Sequence, residues 1–421
     1  MSTEAPLVEH FFRHEYGKVV STLSRRVGVV HLQLVEDAVQ DALARALETW
    51  KTGNIPESPS AWIYRVAHNE LLDEFRRSSR QNRLVQQQLE GALDRGAGYP
   101  PTFFEHEVKD DLLRMIFVCC DDALPQSSRL VLALKTLCGF SVREIGQRLF
   151  LSDANVYKRL ARGRKKLAEN ARALDDLTSA QYAARLPAVH QVLYLVFTEG
   201  YLSSHAEHAI RGELCREAIR LTLIVAKHVT GETPQTFALL AVMHLHAARI
   251  SSRQDGSGGL LLLEEQDRSL WDQAMIGAGL KWLERSAQGP DFSRYHAEAG
   301  IAAAHCLART TSETRWDNIV ECYALLNTVA PSALHRLNQA VALAEWKGVD
   351  AGLESLVGFV PPTWLQGSYL WSAVLDDLHL RRGDKDVGEK HRRASLQSAP
   401  SAAIRTLLER RLRRSGLTPS A

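Results

Sequence analysis

Apolar residues recur at spacings of three and four along almost the whole chain, and no stretch alternates convincingly between apolar and polar positions. This periodicity predicts amphipathic helices throughout and therefore an all-α fold. The helical pattern is interrupted where glycine and proline cluster, at Gly53–Pro59, Gly91–Pro101, Gly256–Gly259, Gly289–Pro290 and Pro361–Pro362.

The longest polar stretch runs from Arg76 to Pro101, and its second half has the composition of a linker. We therefore predict a helical domain at residues 1–80, a linker at 81–108, a second helical domain at 109–176, and an extension at 177–421. The extension is rich in alanine and leucine and in amphipathic helices.

The amino-acid composition excludes only a few classes of function. Among 421 residues, 51 Lys and Arg balance 49 Asp and Glu, so any electrostatic argument has to be local. The six cysteines are scattered without a CxxC pair, and no signal-peptide pattern or bilayer-length apolar run is present. The short histidine motifs His205–His208 and His244–His246 lack a cysteine or carboxylate to complete a set. We expect a soluble protein of a reducing cytoplasm with no metal and no cofactor.

The segment FSVREIGQRLFLSDANVYKRLARGRKKL, Phe140–Leu167, predicts a helix-turn-helix. A short helix over Val142–Leu149 is followed by the turn Phe150–Ser152, and Ser152 or Asp153 can cap the next helix. Six of the nine residues from Lys158 to Lys166 are cationic and none is acidic. The inner stripe of the second helix is formed by Val156, Leu160, Gly163 and Leu167. A basic helix in this position is suited to the DNA major groove, although a solvated basic face is the alternative.

A second candidate for nucleic-acid binding precedes the linker. Leu34–Trp50 predicts an amphipathic helix with an acidic shoulder formed by Glu36, Asp37, Gln40 and Asp41. Ser58–Arg80 predicts another helix that interleaves aromatic residues with arginine and asparagine, a composition suited to single-stranded DNA. Taken alone, the shoulder could be a solvated face and Trp62 could be a core residue.

The order of these motifs resembles the extracytoplasmic-function group of bacterial sigma factors. The resemblance covers residues 7–172 and is carried by VEDAVQDAL, AWIYRVAHNELLDEFRR, REIGQRL and SDANVYKRLARGRKKL. Two further stretches, FVCCDDALPQSSRLVLALKTLCGFS and VLYLVFTEGYLSSHAEHAIRGELCREAIRLTLIVA, resemble the subgroup with a long, tetratricopeptide-like helical extension. The sequence departs from the usual turn at Phe150, where many members have glycine, and at Asn155, where threonine is common.

The resemblance implies a region-2 domain and a region-4 domain with separate partners. The helix Leu34–Trp50 is expected to dock on the clamp helices of the largest subunit of core RNA polymerase, with the flap as a second polymerase contact. The residues implied for polymerase binding are Asp37, Gln40, Asp41 and Arg45. Those implied for the −10 element of promoter DNA are Asn54, Trp62, Arg65, Asn69, Arg76 and Arg77. For the −35 element, Tyr157, Lys158, Ala161 and Arg162 are implied to face bases, and Asn155, Arg159 and Arg164 to hold phosphates.

The extension carries one good match to a tetratricopeptide pattern at Leu380–Pro400, with Gly383–Asp384 as its turn. We expect stacked helical pairs with a concave face, and the alternative is a plain helical bundle. The function expected for the chain is a sigma factor without chemistry of its own, regulated in cis by contact between the extension and the sigma domains. The first rival is a helix-turn-helix activator with a tetratricopeptide sensor. The second rival is an enzyme, but no ordered nucleophile–base or metal set is apparent.

Overall fold

The computed structural model describes residues 4–50, 55–78, 104–149, 151–171, 177–201, 210–255 and 259–414. Within these ranges the chain is built from helices, and an isolated bridge between Gln254 and Leu260 is the only β pairing. The all-α prediction is therefore confirmed for the described part of the chain.

The described ranges before residue 177 contain seven α-helices. They are α1 (Glu4–Val27), α2 (Leu32–Trp50), α3 (Pro59–Ser78), α4 (Phe104–Cys119), α5 (Gln126–Leu132), α6 (Val142–Leu149) and α7 (Asp153–Glu169). A π-helical turn, Ala133–Leu137, follows α5 directly. Helix α4 begins inside the range that the sequence predicts as linker.

From residue 177 onwards, twelve α-helices lie in the part of the chain that the structure describes. They are α8 (Ser179–Tyr201), α9 (Gly212–Ala226), α10 (Pro234–Ala247), α11 (Gln273–Ser286), α12 (Arg294–Leu307), α13 (Trp316–Val329), α14 (Ala333–Lys347), α15 (Val349–Glu354), α16 (Thr363–Gln366), α17 (Tyr369–Arg382), α18 (Lys385–Gln397) and α19 (Ala402–Arg414). None of the helices in the described ranges is long and apolar enough to cross a membrane.

The chain divides into two compact units. The first comprises residues 1–196 with 227–231, and the second comprises 197–226 with 232–421. Both predicted DNA-binding domains lie in the first unit, so their assignment as separate domains stays a prediction. The start of the predicted extension also belongs to this unit, since Tyr182 of α8 meets Phe117 of α4 with ring centroids 4.7 Å apart. Arg185 of α8 forms an ion pair with Asp121 beyond the end of α4.

The core of the first unit forms where α1 packs on α2, on α4 and on the π-helical turn. Gly17 marks the closest approach, because a Cβ there would lie 2.3 Å from the carbonyl oxygen of Leu137. Any larger residue at this position would push α1 away from the π-helical turn. Tyr16 beside it is only 2% exposed. The two segments that resemble region 2 and region 4 are therefore in direct contact.

The second unit is a series of helices in which sequence neighbours pack together, including α10 with α11, α14 with α15 and α17 with α18. The predicted turn after α17 is present: Gly383 adopts a left-handed conformation (φ 96°) that ends the helix. Gly388 of α18 then packs on Leu380, and a Cβ at Gly388 would lie 2.8 Å from Leu380 Cγ. The helical hairpin predicted at Leu380–Pro400 is present, whereas the concave binding face stays a prediction.

Candidate nucleic-acid interface

The predicted helix-turn-helix is present as α6 and α7. The side chain of Ser152 accepts a hydrogen bond from the backbone N–H of Asn155 at 3.3 Å, which caps the start of α7. The residues of α7 buried against the unit are the predicted four, Val156, Leu160, Gly163 and Leu167. The opposite side of the helix therefore faces away from the protein.

Two glycines set the packing around this motif. A Cβ at Gly146 of α6 would lie 2.7 Å from the carbonyl oxygen of Leu151, so the chain leaving α6 can turn back closely only because the side chain is absent. A Cβ at Gly163 of α7 would lie 2.6 Å from Leu132 Cδ1 of α5. The position of α7 thus depends on the absence of a side chain at Gly146 of α6 and at Gly163 of its own inner stripe.

Most of the residues implied for the −35 element lie on the outward side of α7. Tyr157 is 61% exposed, and Lys158 and Arg162 are exposed one helical turn apart. Neither cation forms an ion pair with another residue that the structure describes. Asn155 and Ala161 are exposed as well, and Arg159 is half-buried. Such a face presents hydrogen-bond donors and positive charge, which base edges and phosphates can accept.

Arg164, implied for phosphate contact, already has an anionic partner within the protein. Its Nη2 donates to the Glu36 carboxylate of α2. The hydroxyl of Thr136 donates to the other oxygen of the same carboxylate at 2.6 Å. Glu36 is completely buried, whereas the Arg164 side chain keeps 17% of its surface exposed. A charge-assisted hydrogen bond therefore joins the predicted region-2 and region-4 segments.

The prediction that Glu36 lies on an exposed acidic shoulder is wrong, because the residue is fully buried. Glu36 adjoins Val35 and lies three residues before Val39, both fully buried, so it borders the inner stripe of α2. Its burial is tolerated because Thr136 and Arg164 occupy both carboxylate oxygens. Asp37 and Asp41, the other two acids of the shoulder, are exposed as predicted.

Two further polar residues surround this ion pair. Lys135 lies with its Nζ 5.7 Å from the centre of the Tyr16 ring. Burial lowers the pKa of Lys135, with Glu36 acting in the opposite direction, and burial together with Glu36 raises the pKa of Tyr16. We call these five residues the interregion cluster: Tyr16, Glu36, Lys135, Thr136 and Arg164. It draws on α1, α2, the π-helical turn and α7, and hence on both predicted DNA-binding segments.

The residues implied for polymerase binding share the outer side of α2. Asp37, Asp41 and Arg45 are exposed and Gln40 is half-buried. Arg45 is not independent of α3, since its Nη2 donates to Glu70 Oε2 at 2.7 Å. Arg77, implied for the −10 element, lies 3.5 Å from the other oxygen of Glu70. A single carboxylate therefore positions one cation from each predicted binding set.

Four of the residues implied for the −10 element, Arg65, Asn69, Arg76 and Arg77, are exposed on α3. Trp62 is half-buried, and its ring meets Trp50 edge-on with centroids 5.6 Å apart. Trp50 in turn stacks on Phe12, so Trp62 belongs partly to an aromatic cluster at the end of α2. Asn54 lies outside the described residues.

The described residues offer little support for metal or thiol chemistry. No group of three or more histidine, cysteine, aspartate or glutamate side chains in the described ranges is arranged to hold a metal ion. All six cysteines are free, and burial raises the pKa of Cys119 well above its ordinary value and that of Cys120 to about 12. Both thiols are therefore protonated at neutral pH, which makes them poor nucleophiles.

Comparisons with known families match three parts of the chain. The model of sigma-70 region 2 matches residues 11–81, and the model of sigma-70, region 4, matches residues 114–167. These are the segments that contribute α1 to α3 and α4 to α7. The chain belongs to the extracytoplasmic-function group of sigma factors.

Individual relatives agree with this assignment. This sigma factor is 34% identical over 324 residues to the uncharacterized protein R00370 of Rhizobium meliloti (strain 1021), covering 77% of this chain and 76% of the relative. It is 26% identical to the RNA polymerase sigma factor YlaC of Bacillus subtilis (strain 168), covering 39% of this chain and 91% of YlaC. It is 29% identical to the ECF RNA polymerase sigma factor SigF of Caulobacter vibrioides (strain NA1000 / CB15N), covering 34% of this chain and 73% of SigF.

The C-terminal part of this sigma factor has a family assignment without a function. Residues 185–287 match a family of unknown function, DUF6596. No solved structure matches the chain significantly. The role of the extension therefore has to be argued from its own residues.

Proposed function

We propose that this sigma factor binds core RNA polymerase and directs transcription initiation from promoters that carry −10 and −35 elements. The observation that carries the proposal is the capped helix α7, whose inner stripe is buried while Lys158 and Arg162 are exposed on its outer side. In this role α7 enters the major groove at the −35 element, where Arg162 can form a bidentate pair with guanine and neighbouring cations hold phosphates.

The polymerase contact is assigned to the outer side of α2. Asp37 and Asp41 are four residues apart, both exposed, and present two negative charges on one side of the helix. They suit a basic partner surface, as the clamp helices of the polymerase are expected to provide. The flap is the second proposed contact, and the protein itself contributes no chemistry.

The −10 contact is assigned to α3. Its exposed arginines can follow the phosphates of a separated strand, and a base that leaves the stack can be held by ring and amide contacts. Trp62 would supply the ring. Its side chain meets Trp50 edge-on and is half-buried, so part of the ring surface remains available to a base.

The extension is proposed to regulate these activities in cis. In support, α8, which precedes and overlaps the DUF6596 segment, packs on α4 through Tyr182 and Phe117 and through the ion pair of Arg185 with Asp121. A tethered domain acts at an effective concentration in the millimolar range, so even a weak contact would be occupied.

Transcription by purified core polymerase, with and without this protein, tests the proposal. Promoter-specific transcripts that require the protein are expected. If the protein binds duplex DNA but supports no transcription with core polymerase, the rival activator with a tetratricopeptide sensor is the better description.

Truncation tests regulation in cis. The cut belongs after Tyr201 and not near residue 176, because the shorter protein would lose the contacts of α8 with α4. The truncated protein is expected to transcribe at a markedly different rate from the full chain, with its helical circular dichroism retained. Equal rates from a folded truncated protein would reject regulation in cis by the part of the extension beyond α8 and leave that part as a docking site for another protein.

A further inference from the structure

The second unit contains a concentration of buried positive charge that the sigma function does not use. Arg249 is 7% exposed and Arg253 is 9% exposed, and Arg268 is half-buried near them. We call these three residues the arginine cluster. Arginine is rarely buried to this extent without a carboxylate partner, so the surroundings of the cluster need an explanation.

The aromatic residue Trp271 connects two of the three arginines. The guanidinium carbon of Arg249 lies 5.1 Å from the centre of the Trp271 ring, and that of Arg268 lies 4.9 Å from it. The third, Arg253, lies over the ring of Tyr201 at 3.8 Å. The cations are near enough to affect one another, since burial and the charge of Arg249 both lower the pKa of Arg253 and of Arg268.

The hydrogen-bond partners of the arginine cluster are all neutral. Arg249 donates to the side-chain amide oxygen of Gln266 over a long 3.5 Å. Arg253 donates to the carbonyl of Tyr201. Arg268 donates to the carbonyls of His305 and Ala308 at 3.0 Å and 2.7 Å. No carboxylate in the described part of the chain forms an ion pair with any of the three arginines.

Four acidic residues that follow Arg253 in the sequence already have other partners. Asp255 and Glu265 both lie within ion-pair distance of Arg410 on α19. Asp267 accepts from Ser269, and Asp272 caps α11. The positive charge is therefore not neutralised by the carboxylates of its own segment.

Several buried donors around the cluster lack a partner. Among the described residues, no hydrogen bond reaches Nε of Arg249, Nη2 of Arg268, Nε1 of Trp271, or Nδ1 of His246 and His305. Burial, reinforced by the neighbouring arginines, lowers the pKa of both histidines to about 3, so they add no charge at neutral pH. Unsatisfied buried donors beside uncompensated cations are costly, and an anion would relieve both costs.

A cavity adjoins the cluster. Its volume is about 580 Å³, within the range of small-molecule sites. Arg268, Trp271 and Arg309 line it together with the polar residues Ser269 and Gln273, and the apolar part of its lining contains Ile276, Leu280, Cys306 and Leu307. The cavity thus combines arginine side chains, whose planar donors match the oxygens of carboxylate or phosphate, with apolar surface for the rest of the ligand.

We propose that the second unit binds a small organic anion in the adjoining cavity, with its carboxylate or phosphate group held by Arg268 and its apolar part against the apolar lining. Arg249, which does not line the cavity, adds a second positive charge beside Trp271. The site makes the extension a receptor for a metabolite of this chemical class. This proposal does not depend on the sigma function, because binding to the full-length protein can be measured without polymerase or DNA.

The direct test is ligand-dependent thermal unfolding of the full-length protein, confirmed by calorimetric titration. Hexanoate, hexyl phosphate and inorganic phosphate are the anionic probes, with hexanol as the neutral control. At a hundred times the dissociation constant, a bound ligand should raise the Tm of the second unit by roughly 5–10 °C. A saturable rise with hexanoate identifies a carboxylate site, and one with hexyl phosphate a phosphate site. If no anion exceeds the effect of hexanol, the proposal is wrong.

Substitution of Arg249 separates binding from a structural role. Arg249→Gln removes one buried positive charge and leaves Arg268 in place, so it should weaken anion binding at least tenfold; the Tm of the ligand-free protein is measured alongside, because Arg249 also contacts Trp271. Arg249→Lys retains the charge and should bind anions more tightly than Arg249→Gln. Arg315→Gln is the matched control in the same unit, because Arg315 is exposed and paired with Asp317. A lowered Tm for Arg249→Gln with unchanged anion binding would show that Arg249 is purely structural.

Discussion

Replacing Glu36 with glutamine tests whether the interregion cluster restrains DNA binding. The −10 and −35 elements lie about 25 base pairs apart, or roughly 85 Å of B-form DNA at 3.4 Å per step. The Glu36–Arg164 contact instead holds α2 and α7 side by side. For α7 to occupy the −35 element while α3 occupies the −10 element, this contact has to open.

The expected effect follows from the burial of the pair. Removing one partner of a buried ion pair costs about 3–5 kcal/mol, and the partial exposure of Arg164 places this pair near the lower end. Glutamine retains the shape of the side chain and can still accept the hydroxyl of Thr136. A loss of about 3 kcal/mol from the closed arrangement corresponds to roughly a hundredfold increase in the open-to-closed ratio.

Fluorescence anisotropy with duplex DNA measures this change. A specific promoter is not required, because the predicted contact of Arg164 is with phosphate. Glu36→Gln should bind up to roughly a hundredfold more tightly, limited by the fraction of protein that is already open. The released Arg164 should also steepen the dependence of log affinity on log salt by about 0.9.

Glu48→Gln is the matched control, since it removes the same charge from an exposed position on the same helix. It should change neither affinity nor salt slope beyond a small effect of net charge. If both variants bind duplex DNA alike while only Glu36→Gln unfolds at a lower temperature, the ion pair is a packing feature and Arg164 does not reach DNA.

Three further predictions address the remaining contacts. Arg162→Ala should weaken the free energy of DNA binding by about 1–3 kcal/mol through one −35 base pair and by little at the others, as measured on a panel of promoters mutated in the −35 element. Equal losses across the panel would contradict the assignment of the outer side of α7 to base contact. Reversing both Asp37 and Asp41 to lysine should sharply reduce pull-down of core polymerase with unchanged helical circular dichroism, and undiminished pull-down would reject docking through α2. Burial alone would raise the pKa of Glu15, but hydrogen bonds from neighbouring side chains, including Lys18, lower it to about 2 from the ordinary 4.5. The ionised Glu15 carboxylate therefore stabilises the folded state above pH 4.5, and this stabilisation is lost as the pH falls towards 2. Glu15→Gln should lower the free energy of unfolding by about 3 kcal/mol at pH 7 and by almost nothing near pH 2. A loss that does not vary with pH would show that the charge of Glu15 is irrelevant.

The helix-turn-helix could be predicted from the sequence because its determinants are local. The cap at Ser152 and the stripe of Val156, Leu160 and Leu167 all lie within a short segment whose spacing fixes which side of α7 is buried. The turn at Gly383 was predictable for the same reason, since a left-handed residue ends a helix whatever lies beyond it.

The polar clusters could not be predicted because their members are distant in sequence. Glu36 and Arg164 are 128 positions apart, and each alone has the pattern of a solvated charge. Arg268 of the arginine cluster likewise meets Ala308 across 40 positions. Periodicity assigns a residue to a side of its own helix, but it does not say which other helix covers that side.

Arg164 has two mutually exclusive partners, the Glu36 carboxylate and a DNA phosphate, and this competition connects the two binding surfaces. A buried ion pair adds little net stability compared with apolar packing, but it specifies which arrangement of two segments forms. Asp37 and Asp41 lie on the same helix as Glu36, one and five residues after it. A polymerase docked on these two aspartates therefore contacts α2, the helix that holds Arg164. If docking is possible only in the open arrangement, polymerase binding shifts the population towards it and makes Arg164 available to DNA. The free sigma factor would then bind promoter DNA weakly, and its affinity for the −35 element would rise when the polymerase is present.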